Sequence, residues 1–248
     1  MKTKLSVNLN KVALVRNSRH GNVPSVVKAA RLCLDAGAHG ITVHPRPDER
    51  HIRPGDVDDL KRVLSEPGYA HAEYNIEGNP LAPGFLELVE RVRPHQCTLV
   101  PDSPEQFTSD HGWDVAQHSD QLVPIVTRLK SIGCRVSLFM DPDPDRIALV
   151  PSTGADRVEL YTESYAVAYG KGGSELDASW ETFRRAAAKA QELGLGVNAG
   201  HDLNLDNLSK FASIPNILEV SIGHALIADA LERGLPATVK AYLDALKA

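Results

Sequence analysis

Short apolar runs alternate with amphipathic segments along the whole chain of 248 residues. The short runs are rich in Val, Ile, Leu and Thr, and several are apolar at nearly every position. That pattern is typical of strands buried on both faces. It predicts eight strands, at residues 5–9, 40–44, 71–76, 96–101, 135–140, 157–162, 196–200 and 218–223.

The segments between the strands carry apolar residues at helical spacing. In the first of them Val26, Ala30 and Cys33 form one stripe, and Gly37 follows at a position suited to end the helix. The same pattern predicts helices at residues 23–34, 56–64, 84–92, 119–132, 180–193, 225–233 and 237–246. Residues 165–176, which contain several glycines, are interpreted as a long loop after the sixth strand.

The predicted strands begin about 30 residues apart, which is the length of one strand–helix–strand repeat. Eight parallel strands with covering helices predict an α/β fold, a (β/α)8 TIM barrel, in one domain that spans residues 1–248. A doubly wound open sheet is the alternative. It usually has fewer strands, and this chain has no glycine-rich dinucleotide fingerprint after the first strand.

Composition and charge exclude several classes of protein. Hydrophobic residues make up 42% and charged residues 24%, as in globular domains. The net charge of −5 argues against nucleic acid or an anionic membrane as the main partner. No apolar run approaches the ~18 residues of a membrane span, and no signal peptide is visible. Cys33, Cys97 and Cys134 lack CxxC spacing and are interpreted as reduced core residues, so we expect a cytoplasmic protein.

Polar residues collect at the carboxyl ends of the predicted strands, where barrels of this kind have their sites. The second strand ends in His44, and the last two lead into His201 and His224, each preceded by glycine. Many barrels bind phosphate at those last two ends through backbone N–H groups, so we expect a phosphorylated small molecule. The candidates for a second anionic group are Arg16, Arg19, Arg46 and Arg50.

The third strand carries Glu73, Asn75 and Glu77 on one face. Glu73 is interpreted as a proton carrier, because a carboxylate in a buried strand is costly unless it is paired or used, and burial raises its pKa. The alternative is a structural ion pair with an arginine inside the barrel, such as Arg46. Glu159 in the sixth strand is a weaker candidate of the same kind.

A metal site is not expected from the sequence. There is no HExxH and no His-x-His at a strand end. The run Asp141-Pro-Asp143-Pro-Asp145 lacks the glycine and the closing glutamate of a calcium loop, and is interpreted as a helix cap after the fifth strand. Mg²⁺ that accompanies a phosphate is the remaining alternative.

The strand-end motifs, taken in order, resemble those of the pyridoxine 5′-phosphate synthase family of deoxyxylulose-phosphate-dependent vitamin B6 biosynthesis. They are SVNLN at 6–10, VRNSR at 15–19, GITVHPRPDERHI at 40–52, AEYN at 72–75, CTLVP at 97–101, VSLF at 136–139, VNAGH at 197–201 and IGHA at 222–225. The likeness covers essentially the whole chain.

The resemblance implies a barrel with additional helices, assembled as a homo-octamer, and a transferase that needs no cofactor. Such an enzyme condenses 3-amino-2-oxopropyl phosphate with 1-deoxy-D-xylulose 5-phosphate, and releases pyridoxine 5′-phosphate, inorganic phosphate and water. It implies that His44 is the general base, Glu73 a second proton acceptor and His201 the proton donor. Positions that would contact deoxyxylulose phosphate are Asn8, Asn10, Lys11, Arg19, Arg46, His51 and Thr108. Positions that would contact the aminoketone phosphate are Asp202, Gly223 and His224.

Three positions depart from the commoner pattern of that family. The chain has Asn10-Lys11 where Asp-His is often found, and Asp202 where Gly is often found. The loop 102–112, which contains Thr108, is predicted to act as a lid. Two alternatives stay open: an aldolase-type or isomerase-type barrel that acts on a sugar phosphate, and a non-catalytic protein that binds a phosphorylated ligand.

Overall fold

The computed structural model describes residues 2–103, 106 and 108–247. Within them, eight parallel strands pair in chain order, and the last pairs with the first to close a barrel. The strands are β1 (Lys4–Asn8), β2 (Gly40–Val43), β3 (Glu73–Gly78), β4 (Gln96–Leu99), β5 (Arg135–Met140), β6 (Arg157–Tyr161), β7 (Gly196–Gly200) and β8 (Ile217–Ile222). The predicted (β/α)8 barrel is thereby confirmed, and the alternative prediction of a doubly wound open sheet was wrong.

Helices surround this barrel. They are α1 (Asn10–Asn17), α2 (Val26–Asp35), α3 (Pro54–Leu64), α4 (Phe85–Val92), α5 (Val115–Ser131), α6 (Pro144–Ile147), α7 (Glu163–Lys171), α8 (Gly173–Glu192), α9 (Leu208–Ala212), α10 (His224–Arg233) and α11 (Leu235–Ala245). The short helices α1 and α9 were not predicted. A helix cap after the fifth strand was predicted, and it is confirmed at the start of α6, because Asp143 Oδ1 accepts from the N–H groups of Asp145 and Arg146.

The interpretation of residues 165–176 as a loop was wrong. This stretch lies within α7 and the start of α8. Tyr165 and Ala168 are buried on one side of α7 and give it a packing face. Glycines separate the two helices at Gly172 and Gly173, where φ is +70° and +57°, conformations that glycine adopts without a steric penalty.

The barrel separates an apolar shell from a polar interior. Alternate strand residues such as Leu5 and Val7 point outward and are fully buried against the helices. The inward residues at mid-height are hydrogen-bonded to one another: Ser6 Oγ lies 2.7 Å from Thr42 Oγ1, and Asn75 Oδ1 accepts from Thr98 Oγ1 at 3.2 Å. These polar side chains inside the barrel are thus held by partners on neighbouring strands.

Candidate active site

The carboxyl ends of the strands open into a cavity of about 360 Å³. Nearly all of the predicted site residues line it: Asn8, Asn10, Lys11, His44, Arg46, His51, Thr108, His201, Asp202, Gly223 and His224. The lining also includes Glu77 and Glu159, but neither Glu73 nor Arg19. A second cavity of about 590 Å³ shares His44 and Arg46 with the first.

The structure places Glu73 at the opposite mouth of the barrel, so it does not join His44 and His201. Glu73 is the first residue of β3, which begins two residues later than predicted because residue 72 still belongs to a turn. Its carboxylate pairs with Lys4 at 3.6 Å and with Arg135, which begin β1 and β5. The alternative interpretation of Glu73, a structural ion pair inside the barrel, therefore fits. Its partners are Arg135 and Lys4 and not Arg46.

Glu77 is the carboxylate of β3 that reaches the cavity. It lies four residues beyond Glu73 on the same face, which is roughly 13 Å along a strand. Its Oε2 accepts from Asn8 Nδ2 at 3.3 Å, and its Oε1 accepts from Ser221 Oγ at 3.5 Å. Burial raises the pKa of Glu77 well above its usual value, and the charge of Glu159 raises it further.

Glu159 of β6 is a second buried carboxylate in the same cavity. Its Oε2 accepts from Thr98 Oγ1 at 3.3 Å. Burial and the charge of Glu219 raise the pKa of Glu159 to about 8. Gly200 on the neighbouring strand makes room for it, because a Cβ atom there would lie 2.3 Å from Glu159 Oε1.

His44 and His51 form the histidine pair on the β2 side. The ring centroids are 6.2 Å apart in an edge-on arrangement. Asn10 fixes the backbone beside them, since its Oδ1 accepts from the N–H of His44 at 2.9 Å. Burial and the charge of Arg46 lower the pKa of His51 to about 4 and hold the pKa of His44 well below its usual value. Both imidazoles are therefore neutral at pH 7.

His201 faces this pair from the end of β7. Its backbone has a φ of +77°, and the following Asp202 has +57°. The ring packs between Phe139 and Tyr161, at centroid distances of 5.0 and 5.3 Å. Burial and the charge of Arg46 lower the pKa of His201 to about 4.

Arg46 is held at the cavity wall by the segment that follows β4. Its guanidinium pairs with Asp102, and both side chains are almost fully buried. The carbonyl oxygen of Gln106 accepts from Arg46 at 3.0 Å and from Arg50 at 3.1 Å. Thr108 of this segment lines the cavity, as predicted. The predicted lid 102–112 also includes residues 104, 105 and 107, which lie outside the described residues.

The ends of β7 and β8 complete the cavity. Gly223 precedes the first residue of α10, His224, so the free N–H groups of this helix begin at the cavity. Gly223 is closely packed, because a Cβ there would lie 3.1 Å from Asn8 Cβ. Partial burial and the charge of Glu163 raise the pKa of Asp202, while the charge of His224 lowers it.

Two of the predicted arginines do not line the cavity. Arg19 lies beyond the end of α1 with an exposed side chain. Arg16 is buried under the β2–α3 loop, where it pairs with Asp56 and donates to the carbonyl of His51 at 3.0 Å. Arg16 thus stabilises the loop that carries His51.

Glu77 was not predicted as a site residue, although the alternation along the third strand placed it on the correct face. The Asn79-Pro80 turn that ends β3 was the available signal, since the inward residue nearest to it must lie at the rim. The cavity wall also contains Tyr161 and Glu163, which were not predicted either. Among the described residues, no group of His, Cys, Asp and Glu side chains is arranged to hold a metal ion, and no helix is long and apolar enough to cross a bilayer.

Comparison with known families places this geometry in context. Residues 5–248 match the family model described as pyridoxal phosphate biosynthesis protein PdxJ. The pyridoxine 5′-phosphate synthase of Albidiferax ferrireducens is 57% identical over 98% of this chain and 97% of its own length. The enzyme of the same name from Porphyromonas gingivalis is 54% identical over 98% of this chain and 99% of its own length.

Solved structures with low sequence identity share the fold. The 3-hexulose-6-phosphate synthase of Salmonella typhimurium superposes with a TM-score of 0.63 at 16% identity, covering 100% of this chain and 99% of its own. A tryptophan synthase α-subunit from Pyrococcus furiosus gives a TM-score of 0.62 at 13% identity, with coverages of 99% and 97%. At such identities the likeness shows the barrel architecture alone.

Proposed function

Because this chain belongs to the family of the pyridoxal phosphate biosynthesis protein PdxJ, we propose that it is a pyridoxine 5′-phosphate synthase. It condenses 3-amino-2-oxopropyl phosphate with 1-deoxy-D-xylulose 5-phosphate, and the products are pyridoxine 5′-phosphate, inorganic phosphate and water. The observation that carries this proposal is the meeting of His44, Glu77 and His201 in one cavity that has a cationic wall and a helix N-terminus.

The two phosphate groups have separate supports in this proposal. Lys11, Arg46 and Arg50 line one side of the cavity and supply positive charge for deoxyxylulose phosphate. The N-terminus of α10 at Gly223 and His224 supplies N–H groups for the aminoketone phosphate. Asp202 contributes through its N–H group, because its carboxylate would repel a phosphate.

Ring formation requires a proton transfer at each step: imine formation, loss of water, loss of phosphate and closure of the carbon–carbon bond. The substrate brings its own amine, so no enzyme lysine is needed to form the imine. Glu77 takes the role that the sequence argument gave to Glu73, since its raised pKa suits proton exchange near neutral pH. Glu159 lies beside the same cavity and exchanges protons with Glu77 or the substrate.

The two histidines act as proton acceptor and donor in turn. His44 and His201 are neutral in the free protein because burial lowers the pKa of each, and the charge of Arg46 lowers both further. A phosphate bound at Arg46 offsets that positive charge and raises the pKa of both imidazoles. Substrate binding therefore prepares His44 to take a proton and His201 to give one.

The oligomeric state and the cellular location of the protein are also proposed from its resemblance to this family. We propose a homo-octamer, with eight times the 26.9 kDa mass of one chain, in the cytoplasm. The three cysteines are free and buried, as expected in a reducing compartment. Sedimentation analysis tests the octamer, and a mass of one or two chains would refute it.

The direct test mixes both substrates with metal-stripped protein. We expect a pyridine ring that absorbs in the near ultraviolet, together with release of inorganic phosphate. Absence of both signals refutes the proposal. Turnover of a single sugar phosphate would instead indicate an aldolase or isomerase, and binding without turnover would indicate a binding protein.

A further inference from the structure

The Nδ1 atom of the His201 ring is buried and has no hydrogen-bond partner in the described part of the chain. A histidine that transfers protons usually has one ring nitrogen fixed by a carboxylate or a carbonyl. His201 instead packs against two aromatic rings, with Phe139 inclined at 58° and Tyr161 nearly perpendicular at 86°.

Three consecutive residues at the end of β6 hold His201 from one side. Thr162 fixes the backbone, because its Oγ1 donates to the carbonyls of Gly200 at 2.7 Å and of His201, and its N–H donates to Gly200 at 3.0 Å. Tyr161 supplies the ring that contacts the imidazole edge-on. Glu163 then fixes Tyr161, since its Oε2 accepts from the tyrosine hydroxyl at 2.7 Å.

We propose that Tyr161 is a positioning residue for His201, and that Glu163 anchors Tyr161 through its hydroxyl group. The inference rests on the proposed function, in which His201 gives and takes protons. No partner at Nδ1 holds the imidazole of His201 in the described part of the chain, so the packing of its neighbours must limit rotation about its side-chain torsions. Tyr161 prevents it only while its own ring is fixed, and the bond to Glu163 fixes that ring at its far end.

The size of the effect follows from the geometry that proton transfer demands. A displacement of about 1 Å in a reacting group costs up to about 100-fold in rate. Loss of the Tyr161 ring therefore reduces kcat, because His201 spends less time in the reactive orientation. It leaves KM nearly unchanged, because the phosphate groups are held elsewhere, by Arg46 and the N-terminus of α10.

The test uses variants that separate the ring from its anchor. We expect Tyr161→Leu to lower kcat about 10-fold or more with a change in KM below about threefold. Tyr161→Phe and Glu163→Ala each remove the anchor. We expect them to lower kcat by equal amounts, and by less than Tyr161→Leu does. Glu163→Gln still accepts the hydroxyl hydrogen bond and rescues kcat. The matched control is Tyr69→Leu, because Tyr69 donates the same kind of bond to Asp35 at 2.7 Å far from the cavity.

A second measurement does not depend on turnover. Histidine ring signals from NMR, with His201 assigned by His201→Asn, give the pKa of His201 in each variant. Removing the Tyr161 ring admits water, so we expect the pKa of His201 to rise from about 4 toward the ordinary value of about 6.5. Arg46 and Lys11, whose charges lower the pKa of His201, and the titratable neighbour His44 are the same in all variants.

The outcomes are distinguishable. If the wild-type protein forms no pyridoxine 5′-phosphate, the proposed function fails, while the titration still decides whether Tyr161 holds the ring. If the wild type is active and Tyr161→Leu keeps both its kcat and the pKa of His201, the positioning role is refuted. If Tyr161→Leu does not fold, Tyr161→Phe and Glu163→Ala decide, and wild-type kcat in both refutes the anchor.

Discussion

A negative charge on Glu159 of β6 raises the pKa of Glu77 of β3, in addition to the larger increase that burial causes. The two carboxyl groups come from strands on different sides of the barrel and line the same cavity. Two buried carboxyl groups that interact in this way titrate as a pair and retain a proton at a pH where an isolated glutamate has lost it. The cavity thus holds an exchangeable proton at neutral pH.

Exchange of Glu77 for glutamine removes this proton carrier and keeps the shape of the side chain. We expect Glu77→Gln to lower kcat by about 100-fold or more, while both substrates still bind. The matched variant is Glu73→Gln, four residues away on the same strand and facing the same interior. It leaves kcat unchanged and destabilises the protein by about 1–3 kcal/mol, because Arg135 and Lys4 lose their partner.

Steady-state kinetics and urea unfolding of the two variants check this prediction. The reverse result, in which Glu73→Gln is inactive and Glu77→Gln is active, would show that the opposite mouth of the barrel carries the chemistry.

Exchange of Glu159 for glutamine changes the pH dependence of activity. Without the negative charge of Glu159, the pKa of Glu77 falls. Glu77 accepts a proton only when it is ionised, so the variant should stay active at a lower pH than the wild type. We expect the acidic limb of the kcat/KM profile in Glu159→Gln to lie at lower pH than in the wild type. A limb at the same pH would mean that Glu77 does not titrate in the free enzyme.

The same variant also tests how burial of Glu159 affects stability. The pKa of Glu159 is raised to about 8 in the folded protein, against about 4.3 in an unfolded chain. Its contribution to stability is therefore fully present below about pH 4.3 and is lost as the pH rises to about 8. We expect Glu159→Gln to be more stable than the wild type at pH 8, with a difference that shrinks as the pH falls.

Urea unfolding between pH 4 and 8 measures this difference. A difference that does not depend on pH would show that Glu159 is ionised in the folded protein over the whole range.

The barrel could be predicted because eight strand-like runs at regular spacing leave few other folds. The height of a residue within the barrel is harder to predict, because it depends on where a strand begins and ends, and the Asn79-Pro80 turn is a local signal for the end of β3. The shift of β3 by two residues left Glu73 on the correct face but at the wrong mouth. The alternation of strand residues predicts a face, whereas the hydrogen-bond register with β2, where Gly40 pairs with Glu73, sets the level.

The aromatic contacts of His201 had no signal in the sequence either. Tyr161 and His201 lie 40 positions apart, and their contact depends on the pairing of β6 with β7, in which Tyr161 is opposite Gly200. The histidine itself could be predicted, because a Gly-His pair at a strand end is visible in the sequence.

Arg46 is predicted to bind the phosphate of the ketose substrate. Arg46→Ala removes both this charge and the partner of Asp102, so we expect KM for deoxyxylulose phosphate to rise about 10-fold or more, as for a lost charged hydrogen bond. The control is Arg62→Ala, since Arg62 pairs with Asp59 on the exposed surface of α3. If KM rises for the aminoketone phosphate alone, the assignment of the two phosphate groups must be exchanged.

Two histidines at the opposite end of the barrel predict a loss of stability in acid that is independent of the active site. His39 Nδ1 accepts from the N–H of Leu5 at 3.2 Å, and His95 Nδ1 accepts from the N–H of Tyr74 at 3.0 Å. Burial lowers the pKa of both histidines, and the charges of Lys4 and Lys61 lower them further. An acceptor nitrogen must be unprotonated, so both bonds are lost when these rings take up a proton.

A lowered pKa in the folded state means that the unfolded chain binds protons more readily. The stability that these two histidines provide is therefore present above about pH 6.5 and is lost as the pH falls below it. Replacing each by asparagine should flatten the decline in the free energy of unfolding between pH 6.5 and 5, because asparagine does not titrate. His20→Asn, at an exposed position, is the control that should leave the slope unchanged. Equal slopes in all three variants and the wild type would show that neither His39 nor His95 couples protonation to folding.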